Sequence, residues 1–395
     1  MNALYDKLRS TILANLGLSY TVTDDLLKLY FTEDIKPYQL AQVFSKYDIE
    51  ALDYQSVWLL SKLASALHYN GVPKEQIPRI KGVVKRFTVE NGRQFCALPG
   101  LLEAFNKADI SVMLLNGTAM KAFYEPAETR YSSNIDILVH AGDIQKTGIV
   151  LEEQGFILKD VYWEQRVFQK NDVRIVVHGT YLRSNLLTGE LADVWQHSLE
   201  IDWQGKRIRV PSPEMMLLMV LTEGLEACGF RIQDGLANHF VNCFLDSKFF
   251  LEKYVLGKHS TDRNLLYRER FIVLAGKCRL TLHAHLMLDI INHLFPGFVP
   301  EELLAALPFS VNDVANVQRL ISYNVAKKQV AEARERHNRM EYCYNGIVSL
   351  WHLNCYYGNR NSLLSNIVDF PKCVAGWNSH KGLDGLLSKL GGFAK

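Results

Sequence analysis

The sequence predicts an α+β protein, a small mixed sheet with packed helices set between two helical regions. Three observations predict it. Apolar residues recur at helical spacing before residue 95 and again after residue 213. Between them, short β-branched runs alternate with helical segments and turn residues. The chain has 395 residues, and at roughly 150 residues per domain that length implies two or three units.

The N-terminal region, 1–95, reads as helix in "DDLLKLYF", "PYQLAQVFSKY" and "YQSVWLLSKLASALHYNGV". Asp53 is the expected N-cap of the third run and Gly71 its stop, with Pro73 and Pro78 in short connections. The α/β core, 96–212, opens after Pro99 with a short helix, "GLLEAFNKADI", and a buried strand, "SVMLLNG". A helix "AMKAFY", a polar loop and the strand "IDILVHA" follow. Next come an amphipathic helix, "DIQKTGIVLEEQGF", and the strands "FILKDVYW", "RVFQK" and "VRIVVHGTY". "SLEIDWQGKRIRV" reads as a hairpin closing on Gln204-Gly205.

The C-terminal region, 213–395, returns to helix, with Ser212 as N-cap and Pro213 as first residue. Long periodic runs occupy 238–257, 270–295 and 313–353, and the glycine-rich stretch from 356 reads as a loop-rich tail.

The apolar fraction of 48 % and the charged fraction of 22 % exclude a mainly disordered chain. Forty-four Lys and Arg against forty-two Asp and Glu exclude a polyanion binder that works by bulk charge. Seven Cys, with no CxxC pair, argue against a disulfide framework or a structural zinc site. No apolar stretch approaches the roughly 20 residues that cross a bilayer, and the N-terminus lacks a signal-peptide pattern. The expectation is a soluble cytoplasmic protein with no membrane partner.

Residues 114–139, "LLNGTAMKAFYEPAETRYSSNIDILV", carry the candidate chemistry. A strand ends in Gly117-Thr118 and a helix begins at once, an arrangement that favours a phosphate. The next strand places Asn134 and Asp136 two residues apart, on one face. Oxygen ligands beside a phosphate-binding turn suit Mg²⁺ and a triphosphate.

This ordered pattern resembles the signature of the uncharacterised nucleotidyltransferases, within the DNA polymerase β-like nucleotidyltransferase superfamily. Leu115, Gly117, Tyr124, Arg130, Asp136, Leu138 and Val139 match its strand, helix and Asp-x-Asp-Leu-Leu-Val segments. Gly155-Phe156 and the strand-end His178 fit as well, and weaker likeness extends the match to roughly 95–305. The resemblance implies transfer of a nucleoside monophosphate from an NTP to an acceptor hydroxyl, phosphate or carboxylate. The acceptor is a small molecule, a peptide or a protein. Asp136 is the implied ligand of Mg²⁺ or Mn²⁺, with Asn134 beside it as the second catalytic position. Gly117, Thr118, Arg130, Ser132, Ser133 and His178 are the implied nucleotide-binding residues.

Three positions depart from that pattern. Asn134 replaces the first Asp, Val176 replaces a carboxylate two residues before the His, and Asn116 replaces a Lys. Asp143, Glu164 and Asp172 lie nearby in sequence, at spacings that do not suggest substitution. The alternative reading is therefore an inactive nucleotidyltransferase-like protein that binds a nucleotide, peptide or protein. Arg130 has two readings, a phosphate contact or an ion pair with Asp136. A third, weaker reading is a nucleic-acid surface on 327–357, where basic residues are followed by Tyr342, Tyr344 and Trp351.

Overall fold

The computed structural model describes residues 2–16, 22–52, 54–124, 130, 132, 134–162, 165–179, 192–203, 206–227, 237–256, 262–335, 345 and 348. Asp53, Ser133, Glu164, the Gln204-Gly205 turn, Cys228, Cys343, Cys355, Cys373 and the stretch from 356 lie outside them. So does most of 327–357.

The N-terminal helices are α1 (Asn2–Leu16), α2 (Val22–Phe31), α3 (Pro37–Lys46) and α4 (Tyr54–Ala66). Gly71 takes φ +87°, and a Cβ there would meet the Pro37 carbonyl oxygen, so only glycine fits this stop. The next helix, α5 (Ile77–Lys107), corrects two expectations. Pro78 lies in its first turn, where no N–H is needed, rather than in a connection. Pro99 lies inside the helix, so the short helix and the boundary expected near 95/96 merge into one continuous element. The reason is burial. Ile80, Phe87, Asn91, Gln94, Leu98, Leu101 and Phe105 form one buried stripe, and packing outweighs the local preference of proline.

Two small helices and five strands build the core. These are β1 (Met113–Leu114), α6 (Asn116–Met120), β2 (Ile135–Leu138), α7 (Ile144–Glu153), β3 (Ile157–Tyr162), β4 (Gln165–Lys170) and β5 (Val173–His178). The sheet order is β1-β2-β5-β4-β3, with β2 and β5 parallel and the other pairs antiparallel. This is the expected mixed sheet, although β1 is only two residues long. The side chain of Phe168 meets Gly148 of α7, so Phe168 and its cross-strand neighbour Ile175 mark the face that α7 covers. Asp136, Val176 and His178 lie on the other face.

A short helix α8 (Ala192–Gln196) leads to the β6 (Ser198–Trp203) and β7 (Lys206–Pro211) hairpin. The remaining helices are α9 (Pro213–Ala227), α10 (Ala237–Phe250), α11 (Asp262–Lys277), α12 (Thr281–Leu294), α13 (Glu301–Ala305) and α14 (Val311–Glu335). Ser212 precedes α9 as expected, but its buried hydroxyl has no hydrogen-bond partner, so it does not cap. The periodic run 270–295 breaks at Arg279, which takes φ +53°.

One buried cluster runs from Leu8 to Ile321 and joins all three regions. Phe31 of α2 stacks on Phe295 beyond α12 at 3.8 Å. Tyr5 of α1 donates to Asp289 of α12 at 2.7 Å, and Arg9 pairs with the same carboxylate at 3.1 Å. The N-terminal helices therefore pack on the C-terminal ones. Among the described residues no helix is long and apolar enough to cross a membrane.

Candidate functional site

The site forms where β1 ends and β2 begins. Asn116 takes φ +47°, a left-handed conformation that Asn tolerates, and turns the chain from β1 into α6. Thr118 N–H and Ala119 N–H both donate to the Leu115 carbonyl, at 3.1 and 3.0 Å. A Cβ on Gly117 would lie 2.9 Å from Ser132 Oγ, so glycine lets the loop before β2 press against the turn.

Two hydroxyls expected to face phosphate are turned toward the backbone instead. Thr118 Oγ1 donates to the Asn134 carbonyl at 3.1 Å and accepts from Asp136 N–H at 3.0 Å. Ser132 Oγ donates to the same carbonyl at 2.7 Å. Asn91 of α5 accepts from Ser132 N–H at 3.2 Å and donates to the Arg130 carbonyl at 3.4 Å. These bonds fix the entry to β2 and hence the direction of Asn134 and Asp136.

Arg130 pairs with another acid than the Asp136 foreseen for it. Its guanidinium is buried against Asp246 of α10, with Nε 3.0 Å from Oδ1 and Nη2 2.9 Å from Oδ2. Tyr124 OH donates to Asp246 Oδ1 at 2.8 Å. Burial opposes the charge on Arg130, but the Asp246 carboxylate more than offsets it and the guanidinium stays protonated. Burial first, and then Asp246, push the Tyr124 hydroxyl well above its ordinary range. The physical reason for the correction is proximity: α10 brings a carboxylate to Arg130, so Asp136 is left to another partner.

That partner is His178. In the parallel register Asp136 lies opposite Val176 and Leu138 opposite His178. His178 Nε2 reaches diagonally to Asp136 Oδ1 at 2.9 Å, with both side chains buried. Gln165, opposite His178 on β4, sits 3.1 Å from Nδ1. If the Gln165 amide donates to Nδ1, the proton on Nε2 points at Asp136, an assignment that follows from the network. Asn134 is half-buried, and its Oδ1 is buried with no hydrogen-bond partner.

The neighbouring acids do not complete a cluster. Asp172 pairs with Arg93 of α5 at 3.2 Å in the exposed β4–β5 turn, at the opposite end of β5 from His178. Asp143 begins α7. Among the described residues no group of three His, Cys, Asp or Glu side chains is placed to hold a metal ion. Burial pushes His283 down to about 4, and His285 has Nδ1 3.0 Å from the Leu304 carbonyl oxygen.

The structure thus gathers Gly117, Thr118, Ser132, Asn134, Asp136 and His178 and sends Arg130 elsewhere. It adds Asn91, Gln165 and Asp246, none of which carries a local motif. Asp246 did lie in "FLDSKFFL", a segment of weak likeness. It also adds Lys121, whose buried Nζ lies 3.8 Å from the centre of the Phe95 ring and has no hydrogen-bond partner among the described residues.

Comparison with curated proteins and with solved structures gives no match. Residues 56–296, more than half of the chain, match the family described as uncharacterised nucleotidyltransferase, with the match beginning in α4, well before the expected residue 95. The fold, the β2 motif and this match agree, and the chain belongs to that nucleotidyltransferase family.

Proposed function

We propose that this chain binds a nucleoside triphosphate with one divalent cation at the start of β2 and does not run two-metal nucleotidyl transfer. The observation that carries this reading is Val176 directly opposite Asp136. The neighbouring strand offers methyl groups where a second anionic ligand is required. Two divalent cations need several anionic oxygens to offset four positive charges, and Asp136 supplies one carboxylate.

A single Mg²⁺ does fit the donors present. Such an ion commonly takes one or two carboxylates, retained waters and substrate phosphate oxygens. Asp136 and the unpartnered Asn134 Oδ1 are oxygen ligands of that kind. Bound there, the ion would offset phosphate charge. His178, held by Gln165, orients the Asp136 carboxylate. Thr118 and Ser132 spend their hydroxyls on the backbone that shapes the entry to β2.

The second reading is nucleotidyl transfer to an acceptor hydroxyl, phosphate or carboxylate. Family membership favours it, and it requires Asn134 to serve where the family pattern has an acid. Calorimetry with each ribonucleoside triphosphate, with Mg²⁺ or with EDTA, tests the binding reading. The expected result is binding that weakens at least tenfold in EDTA or in Asp136→Asn, with no pyrophosphate released. Pyrophosphate release that depends on Asp136 would establish the second reading instead.

A further inference from the structure

Seven residues form the buried stripe of α5, and two of them, Asn91 and Gln94, are polar. A buried amide among apolar side chains costs free energy unless it is hydrogen-bonded. Asn91 commits both ends of its amide to one loop. Its Oδ1 accepts from Ser132 N–H at 3.2 Å, and its Nδ2 donates to the Arg130 carbonyl at 3.4 Å. Both partners are main-chain groups, 41 and 39 residues further along the chain, so the contact fixes the path of the loop. A carboxylate could accept from Ser132 but could not donate to Arg130, and an aliphatic side chain could do neither. Ser132 passes the constraint on. Its hydroxyl donates to the Asn134 carbonyl at 2.7 Å, and Thr118 Oγ1 joins that carbonyl to Asp136 N–H at 3.1 and 3.0 Å. Hydrogen bonds therefore lead from Asn91 through Ser132 to the backbone of Asn134, and through Thr118 to that of Asp136.

We propose that Asn91 is a positioning residue for the cation site, a side chain of α5 that sets how tightly Asn134 and Asp136 hold a divalent ion without touching it. This rests on the single-cation reading above and names a remote residue on which the affinity depends. A carboxylate and an amide oxygen share one ion only at a suitable spacing, and here that spacing is set by the backbone that Asn91 and Ser132 hold. Outer partners that fix the direction of metal ligands typically change metal affinity by about 10–100-fold. Asn91 acts through the loop, and no chemical step is assigned to it.

The test reads Mn²⁺ affinity by electron paramagnetic resonance on the full chain with a non-hydrolysable triphosphate, well below the melting temperature of each variant. Asn91→Leu keeps the stripe apolar and nearly preserves the shape of the side chain, and is expected to weaken Mn²⁺ at least tenfold. Ser132→Ala leaves the packing of α5 intact and cuts the next link, so it tests the same path even if Asn91→Leu folds poorly. It is expected to weaken Mn²⁺ to a similar degree, and the double variant no further than either single one. Ile80→Ala, on the same buried stripe three turns before Asn91, is expected to lower the melting temperature and leave Mn²⁺ affinity within twofold. Unchanged affinity in Asn91→Leu or Ser132→Ala would overturn the positioning role. So would multiplied losses in the double variant, or equal weakening in Ile80→Ala. A second measurement needs no metal. Amide hydrogen exchange at Ser132 is expected to be at least tenfold faster in Asn91→Leu than in the wild type, and equal rates would overturn the clamp itself. If the wild type binds one Mn²⁺ and Asn91→Leu holds it as tightly, the single-cation reading stands and this one falls. If the wild type binds no Mn²⁺, both fall.

Discussion

Arg130 and Asp246, 116 residues apart in sequence, form a buried two-pronged ion pair that ties the loop before β2 to helix α10. Tyr124 OH donates a further hydrogen bond to Asp246. The pair joins the α/β core to the C-terminal helices, so the geometry of the candidate site depends on a helix that contributes no ligand to it.

Breaking that pair leaves a buried charge without its partner. Arg130→Met is expected to destabilise the chain by about 3–5 kcal/mol. Asp246→Asn is expected to cost a similar amount, and the double variant less than the sum. Urea unfolding of the four proteins measures this. Additive losses would show that the two side chains do not act together.

Gly117→Ala places a methyl group 2.9 Å from Ser132 Oγ and 3.1 Å from its Cβ. The expected cost is about 1–3 kcal/mol, and Ser132→Gly in the same chain should recover most of it. Thermal unfolding of both variants checks the close approach. A neutral Gly117→Ala would mean that the loop shifts freely.

Lys121 makes stability depend on pH in a stated direction. Burial, and then Arg130, push it down from an ordinary 10.5 to about 7 in the fold. Between these values the unfolded chain holds the extra proton, so this residue makes stability rise with pH across that window. Lys121→Met is therefore expected to raise the melting temperature most at pH 6 and least near pH 10. An equal effect at both values would contradict a desolvated ammonium.

Much of this fold was legible in the sequence. The periodic runs gave the helices, and the alternating segments gave β3, β4 and β5 with their order intact. Pro99 misled because local chemistry argues for a break, whereas the stripe from Ile80 to Phe105 is buried along its whole length. The motif pointed to Asp136 and His178, which lie on adjacent strands read by a period of two, and to Asn134, one residue before β2. It missed the Arg130 partner because Asp246 is remote in sequence and reaches the site only through packing of α10. It missed Lys121 for the opposite reason. A lysine at a helix end reads as solvated, and only the position of Phe95 shows that it is not.

Val176→Asp restores a carboxylate opposite Asp136. Two buried acids facing each other repel, so the metal-free variant is expected to be less stable than the wild type. Added Mg²⁺ should recover stability in the variant and change the wild type little when no nucleotide is present. A variant indifferent to Mg²⁺ would show that this face of β5 does not meet the cation.

Counting metal ions tests the central claim without knowledge of the acceptor. Electron paramagnetic resonance can titrate Mn²⁺ onto the full chain with a non-hydrolysable triphosphate present. One Mn²⁺ is expected per wild-type chain, none in Asp136→Ala and two in Val176→Asp. Two ions bound to the wild type would contradict the account, and so would none.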